Sequence, residues 1–74
     1  MQIKSKIVDK YEKRFGVVAF EKGYVTADQL VKALTIQVQE DIDMGYHRLI
    51  GKIFIDQGIM SGKQVSEVLK EILL

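Results

Sequence analysis

Arg14 and Gln37, with Arg48 further along, have the side-chain types and spacing to recognise an anionic or base-like ligand. Arginine's planar fork can meet two acceptors at once, whether phosphate oxygens or the edge of a guanine. Glutamine both donates and accepts, so it can hold a base or a backbone group. Phe15 and Gly16 follow Arg14 directly, and a helix start beside Arg14 would add free amide donors, which favour anions. Leu30 and Leu34, one helical turn apart, can lay an apolar surface under a base. Each of these residues also has a structural role open to it. Arg14 can be a surface cation paired with Glu12 or Glu21, Gln37 a polar neighbour of a buried stripe bonded to backbone, and Leu30 and Leu34 core.

Other chemistry is poorly provided for. Cysteine is absent and His47 is the single histidine, so neither a disulfide framework nor a zinc cluster is expected. There is no G-x-x-x-x-G-K-[ST] phosphate loop, no serine with a credible base, and the carboxylates follow helix-face spacing. The chain is therefore not expected to be an enzyme. Tyr46-His47-Arg48 joins aromatic and cationic groups, which reads either as a packed connector or as a surface for stacking on a base.

The elements that must position these residues come in two similar stretches. Residues 14–37 are echoed by residues 49–72 at an offset of 35 residues, with Gly16 facing Gly51, Gly23 facing Gly58, Gln29 facing Gln64 and Leu34 facing Leu69. Such a repeat implies two copies of one supersecondary unit packed together. Thr26-x-x-Gln29 and Ser61-x-x-Gln64 are capping boxes, each following a glycine that can end the preceding helix. The first glycine of each copy, Gly16 or Gly51, is expected at a close helix approach, and Gly23 and Gly58 at chain reversals.

The spacing predicts a first helix over about residues 3–13 from Ile3, Ile7, Tyr11 and Phe15. Short helices over 15–22 and 50–57 follow, with strands as the alternative because β-branched residues are frequent there. A longer helix after Thr26 should bury Leu30, Ala33, Leu34, Val38 and Ile42; another after Ser61 should bury Val65, Val68, Leu69 and Ile72. The sum is an all-α, five-helix single domain over 1–74. It comprises an N-terminal helix (1–13), a first helix–turn–helix repeat (14–37), a connection (38–48) broken at Gly45, and a second repeat (49–72).

Seventy-four residues with 47% hydrophobic content suit one small core. A net charge of +1 is too balanced to suggest a nucleic-acid coat or a strong membrane-surface binder. Residues 1–14 are nonetheless basic, and Glu40, Asp41 and Asp43 form an acidic run. No apolar stretch reaches the roughly 18–20 residues of a membrane span, and a small domain without disulfides fits a cytoplasmic location.

The pattern R-F-G at 14–16, with Gly23, Leu30, Leu34 and Gln37 in register, resembles the N-terminal domain of bacterial type II secretion and type IV pilus assembly ATPases, the MshE N-terminal kind. That resemblance covers residues 14–72. It implies a non-catalytic regulatory or docking module that acts through a protein partner, such as a secretion or pilus apparatus component. The alternative it implies is a cyclic di-GMP effector with Arg14, Phe15, Gly16, Leu30, Leu34, Gln37 and Arg48 at the ligand. The second copy departs from the pattern, with Leu49 in the arginine position, Ile72 in the glutamine position and Arg48 one residue early. A third reading is helix–turn–helix DNA binding, with recognition helices beginning Thr26-Ala27-Asp28 and Ser61-Gly62-Lys63.

Overall fold

In the computed structural model the backbone is described for residues 3–73 and side chains for residues 10–73. The chain forms four α-helices, α1 (Ile3–Glu21), α2 (Ala27–Met44), α3 (Ile50–Asp56) and α4 (Gly62–Leu73), with no strand among the described residues. The expected five helices reduce to four because segments 3–13 and 15–22 are one continuous helix. Phe15, Val18 and Ala19 are buried along one side of it, and nothing at residues 13–14 interrupts the backbone. Gly16 sits mid-helix, where glycine costs about 1 kcal/mol relative to alanine. Its missing Cβ admits Leu30 of α2, whose Cδ1 would lie 2.7 Å from an added Cβ. Ile3 and Ile7, named for the first stripe, lie outside the described side chains.

The two turns are built alike. Gly23 (φ 80°) and Gly58 (φ 74°) take the left-handed conformation, as expected. The amide of Gly23 donates to the Phe20 carbonyl and that of Tyr24 to the Ala19 carbonyl; Gly58 donates to Ile55 and Ile59 to Phe54. Each pair is a Schellman closure, which satisfies carbonyls left over at a helix end. Both capping boxes form. Thr26 Oγ1 accepts from the Gln29 amide and Gln29 Oε1 from the Thr26 amide, and Ser61 and Gln64 do the same.

α1 and α3 each touch all three other helices, whereas α2 and α4 lie apart on the outside. The buried apolar residues pair off at the same 35-residue offset: Phe15 with Ile50, Val18 with Ile53, Ala19 with Phe54, Val25 with Met60 and Ala33 with Val68. Small stands opposite large in two of those pairs, so the interior is filled without either half supplying it alone.

The outer half of α2 departs from expectation. Leu30 is half-buried and Ala33 buried, but Leu34 is 38% exposed, Val38 58% and Ile42 75%, with Val31 at 63% beside them. Leu69 of α4 is likewise exposed rather than buried. The inward seam of α2 runs instead through Leu30, Ala33, Gln37 and Glu40. Two of those four are polar, and both find partners inside the fold. The helix also outruns the expected connection, continuing to Met44 before Gly45 (φ 72°) ends it. Residues 45–49 alone then link α2 to α3.

Candidate functional site

Three helices meet at one carboxylate. Glu12 Oε1 accepts from Gln37 Nε2 (2.7 Å) and from the backbone amide of Ile50 (2.6 Å), while Gln37 Nε2 also donates to the Arg48 carbonyl (3.0 Å). Leu49 is the N-cap of α3 and offers no side-chain acceptor. The first amide of α3 would be orphaned without the distant carboxylate. A negative charge at a helix N-terminus is favourable in its own right. Gln37, 5% exposed, spends both amide protons on this clasp. Its placement matches the structural role, bonded in part to backbone, rather than an open ligand contact.

Arg48 is committed in the same way. Its Nε and Nη2 fork onto the two oxygens of Glu40, and Nη1 reaches Asp56 Oδ2 at 2.8 Å. Lys52 Nζ completes the group at 2.9 Å from Asp56 Oδ1. The hydrogen bonds that Arg48 donates to Glu40, then to Asp56, raise its pKa further, and those that Asp56 accepts from Lys52, then Arg48, lower that of Asp56. The cluster ties α2 to α3 and to the connector between them. A second cluster ties the first turn to α4: Lys22 Nζ lies 3.3 Å from Glu67 and 2.9 Å from Glu71, and the Tyr24 hydroxyl donates to Glu67 at 2.8 Å. The Tyr24 hydrogen bond, followed by that of Lys22, depresses the Glu67 carboxyl.

The remaining sequence-derived candidates are not gathered into one site. Phe15 is buried in the core and Gly16 is covered by Leu30. Arg14 is exposed on α1 and makes no hydrogen bond or ion pair among the described residues. Leu34 belongs to the outward face of α2, where Val31, Leu34, Thr35, Val38 and Gln39 line an open groove of about 340 Å³. A second cleft of about 240 Å³ lies between α1, α3 and α4, with Leu49, Ile55 and Leu69 at its apolar mouth. Sequence reading missed Glu12, Glu40 and Asp56 as organising groups. Apart from the Lys52–Asp56 pair within α3, their contacts link different elements at separations of 8 residues or more, which no helical or turn spacing signals.

No helix among the described residues is long and apolar enough to cross a membrane, and no group of three or more His, Cys, Asp or Glu side chains converges there. Comparisons with protein-family models, with curated proteins and with solved structures find no match. The molecule is a compact all-α domain, and its own geometry must carry any reading of its function.

Proposed function

We propose that this chain is a non-catalytic docking module that works by burying the outer face of α2 against a protein partner. The observation that carries this reading is the inversion within α2. The helix turns Val31, Leu34, Val38 and Ile42 to solvent while folding Gln37 and Glu40 inward onto Glu12 and Arg48. A contiguous apolar strip on a small domain is a common mark of an interaction surface. The 35-residue pairing of core positions supports descent from a duplicated helix–turn–helix unit, the organisation expected from the secretion and pilus ATPase resemblance. A secretion or pilus component is the partner class that resemblance implies.

Cyclic di-GMP binding is less well supported. Of its three proposed polar contacts, Gln37 and Arg48 are held by internal carboxylates and only Arg14 is left exposed. DNA reading by α2 is weakened too, since Thr26 and Gln29 at its start are occupied with each other.

The test is a photo-crosslinking amino acid placed at Val38 in the producing cell, with Ser66 on α4 as the control position. A discrete adduct at residue 38, absent at 66 and lost in an Ile42→Glu background, is expected. Equal labelling at both positions, or none, overturns the docking reading. Amide shifts at residues 14–16 and 30–37 that saturate with cyclic di-GMP and vanish in Arg14→Ala would establish the effector instead.

A further inference from the structure

The cleft between α1, α3 and α4 pairs an apolar interior with a carboxylate oxygen left over from the clasp around Glu12. The buried Phe15 and Gly51 and the half-buried Val65 line it together with the exposed Leu49, Ile55 and Leu69. Three helices contribute to it, unlike the groove on α2, which a single helix lines. At about 240 Å³ it is somewhat smaller than the roughly 300–1,000 Å³ of sites for drug-sized ligands. Such sites combine an apolar lining with a few placed polar groups.

Glu12 and Lys52 are the charged lining residues, and they are committed to different degrees. Lys52 gives its ammonium to Asp56. Glu12 spends Oε1 on the Gln37 and Ile50 amides, while Oε2 meets no hydrogen-bond or ion-pair partner among the described residues. No side-chain oxygen or nitrogen there is both buried and unpartnered, so Oε2 is open to solvent. The two bonds to Oε1 also hold the carboxylate in place, and a ligand need not order it. In the first hairpin the same positions carry other groups. His47 corresponds to Glu12, and Leu30, one carbon larger than Val65, lays its Cδ1 over Gly16. The acid and the smaller apolar residue come together at the second hairpin.

We propose that this cleft is a binding site for a small primary amine with an aromatic or branched aliphatic body. The ammonium meets Glu12 Oε2, a charge-assisted contact strengthened by the low-dielectric walls around it. The body lies on Phe15, Val65 and Leu69, where an aromatic ring can meet the Phe15 ring at an edge. A carboxylate-bearing ligand of the same shape is repelled by Glu12, and a bare amine has no apolar surface to bury. The cleft shares no residue with the α2 groove, so this site and the docking reading stand or fall separately.

Amide NMR titrations at neutral pH with benzylamine, benzoate and methylamine test the assignment. Benzylamine should give saturable shifts at Gly51, Lys52, Val65 and Leu69 with millimolar affinity, as suits so small a ligand. Benzoate should bind about tenfold more weakly, and methylamine should not saturate. Glu12→Gln keeps an oxygen to accept from Gln37 and Ile50 but removes the charge. It should weaken benzylamine about three- to tenfold and erase the preference over benzoate, with unchanged circular dichroism. Leu69→Ala, at an exposed position, should weaken both aromatic probes alike. The proposal is overturned by the absence of saturable benzylamine shifts up to about 50 mM, or by shifts that fall outside the cleft. Equal affinity for benzylamine and benzoate overturns it as well, a comparison made on the unaltered protein that does not depend on how any variant folds. So does a benzylamine affinity that Glu12→Gln leaves unchanged.

Discussion

The α1–α2 hairpin and the α3–α4 hairpin close with the same hydrogen bonds yet begin in opposite ways. Phe15 lies in the middle of a 19-residue helix, whereas its counterpart Ile50 is the first residue of a 7-residue one. Twelve residues of helix precede Phe15 and supply its backbone partners; Ile50 has none and takes Glu12 from α1 instead. Glu12 is in turn gripped by Gln37 from α2. Gln37, which Ile72 replaces in the second hairpin, thus helps to start that hairpin's first helix, while Arg14 stays exposed. Of the motif residues with ligand chemistry open to them, Gln37 takes part in this helix-capping contact.

Several substitutions sharpen or break this contrast. The largest effect is expected at the pair Ala19 and Phe54, both fully buried. Phe54→Ala should cost about 3–5 kcal/mol in denaturant unfolding, since it empties the place of the largest fully buried side chain. A loss below about 1 kcal/mol would show that the two halves do not share one interior.

Next comes Glu12, whose counterpart at the 35-residue offset is His47 on the exposed connector. Glu12→Ala leaves the Gln37 amide and the Ile50 amide short of an acceptor, a cost of about 1–3 kcal/mol. His47→Ala should change stability by less than about 0.5 kcal/mol. Equal effects at the two positions would remove the asymmetry argued above.

A smaller change is expected at the first residues of α2 and α4, Ala27 and Gly62. An added Cβ at Gly62 meets nothing within 4 Å. Gly62→Ala should therefore stabilise by about 0.5–1 kcal/mol, and Ala27→Gly should destabilise by a similar amount. Thermal melts of the two variants and their combination would reveal any departure from additivity.

The smallest effect concerns acid. Asp56 and Glu67 have folded-state pKa values below their ordinary 3.8 and 4.5. As pH falls through that range the unfolded chain takes up protons before the folded one. Stability is therefore full above about pH 4.5 and declines as pH drops through the depressed values. Both carboxylates are solvent-accessible, so the decline should be shallow and reduced further by salt. Asp56→Asn, tracked by urea midpoints between pH 2 and 6, should flatten it; an unchanged slope would deny the Lys52–Asp56–Arg48 cluster any energetic role.

What the sequence revealed and concealed divides along physical lines. Gly23, Thr26 and Gln29, like Gly58, Ser61 and Gln64, announce their turns because each contact falls within a few residues of chain. Gly16 and Gly51 were readable as close approaches, and both are packed by Leu30 or by Phe15 and Val65. The continuity of α1 was hidden because Gly16 looks like punctuation until Leu30 is seen to need its missing Cβ. The facing of α2 was hidden for a deeper reason. Periodicity assigns the most apolar side to the interior, whereas here Gln37 and Glu40 lie inward because Glu12 and Arg48 meet them. No local spacing links residue 12 to residue 50.

The borrowed acceptor at Ile50 has a consequence for opening motions. A seven-residue helix does not persist alone in water, so α3 exists only while α1 and α2 hold its first turn in place. Its amide protons should then exchange with solvent only when the whole molecule opens, at a rate set by global stability rather than by fraying. The shortest helix in the chain would be its most faithful reporter of cooperativity.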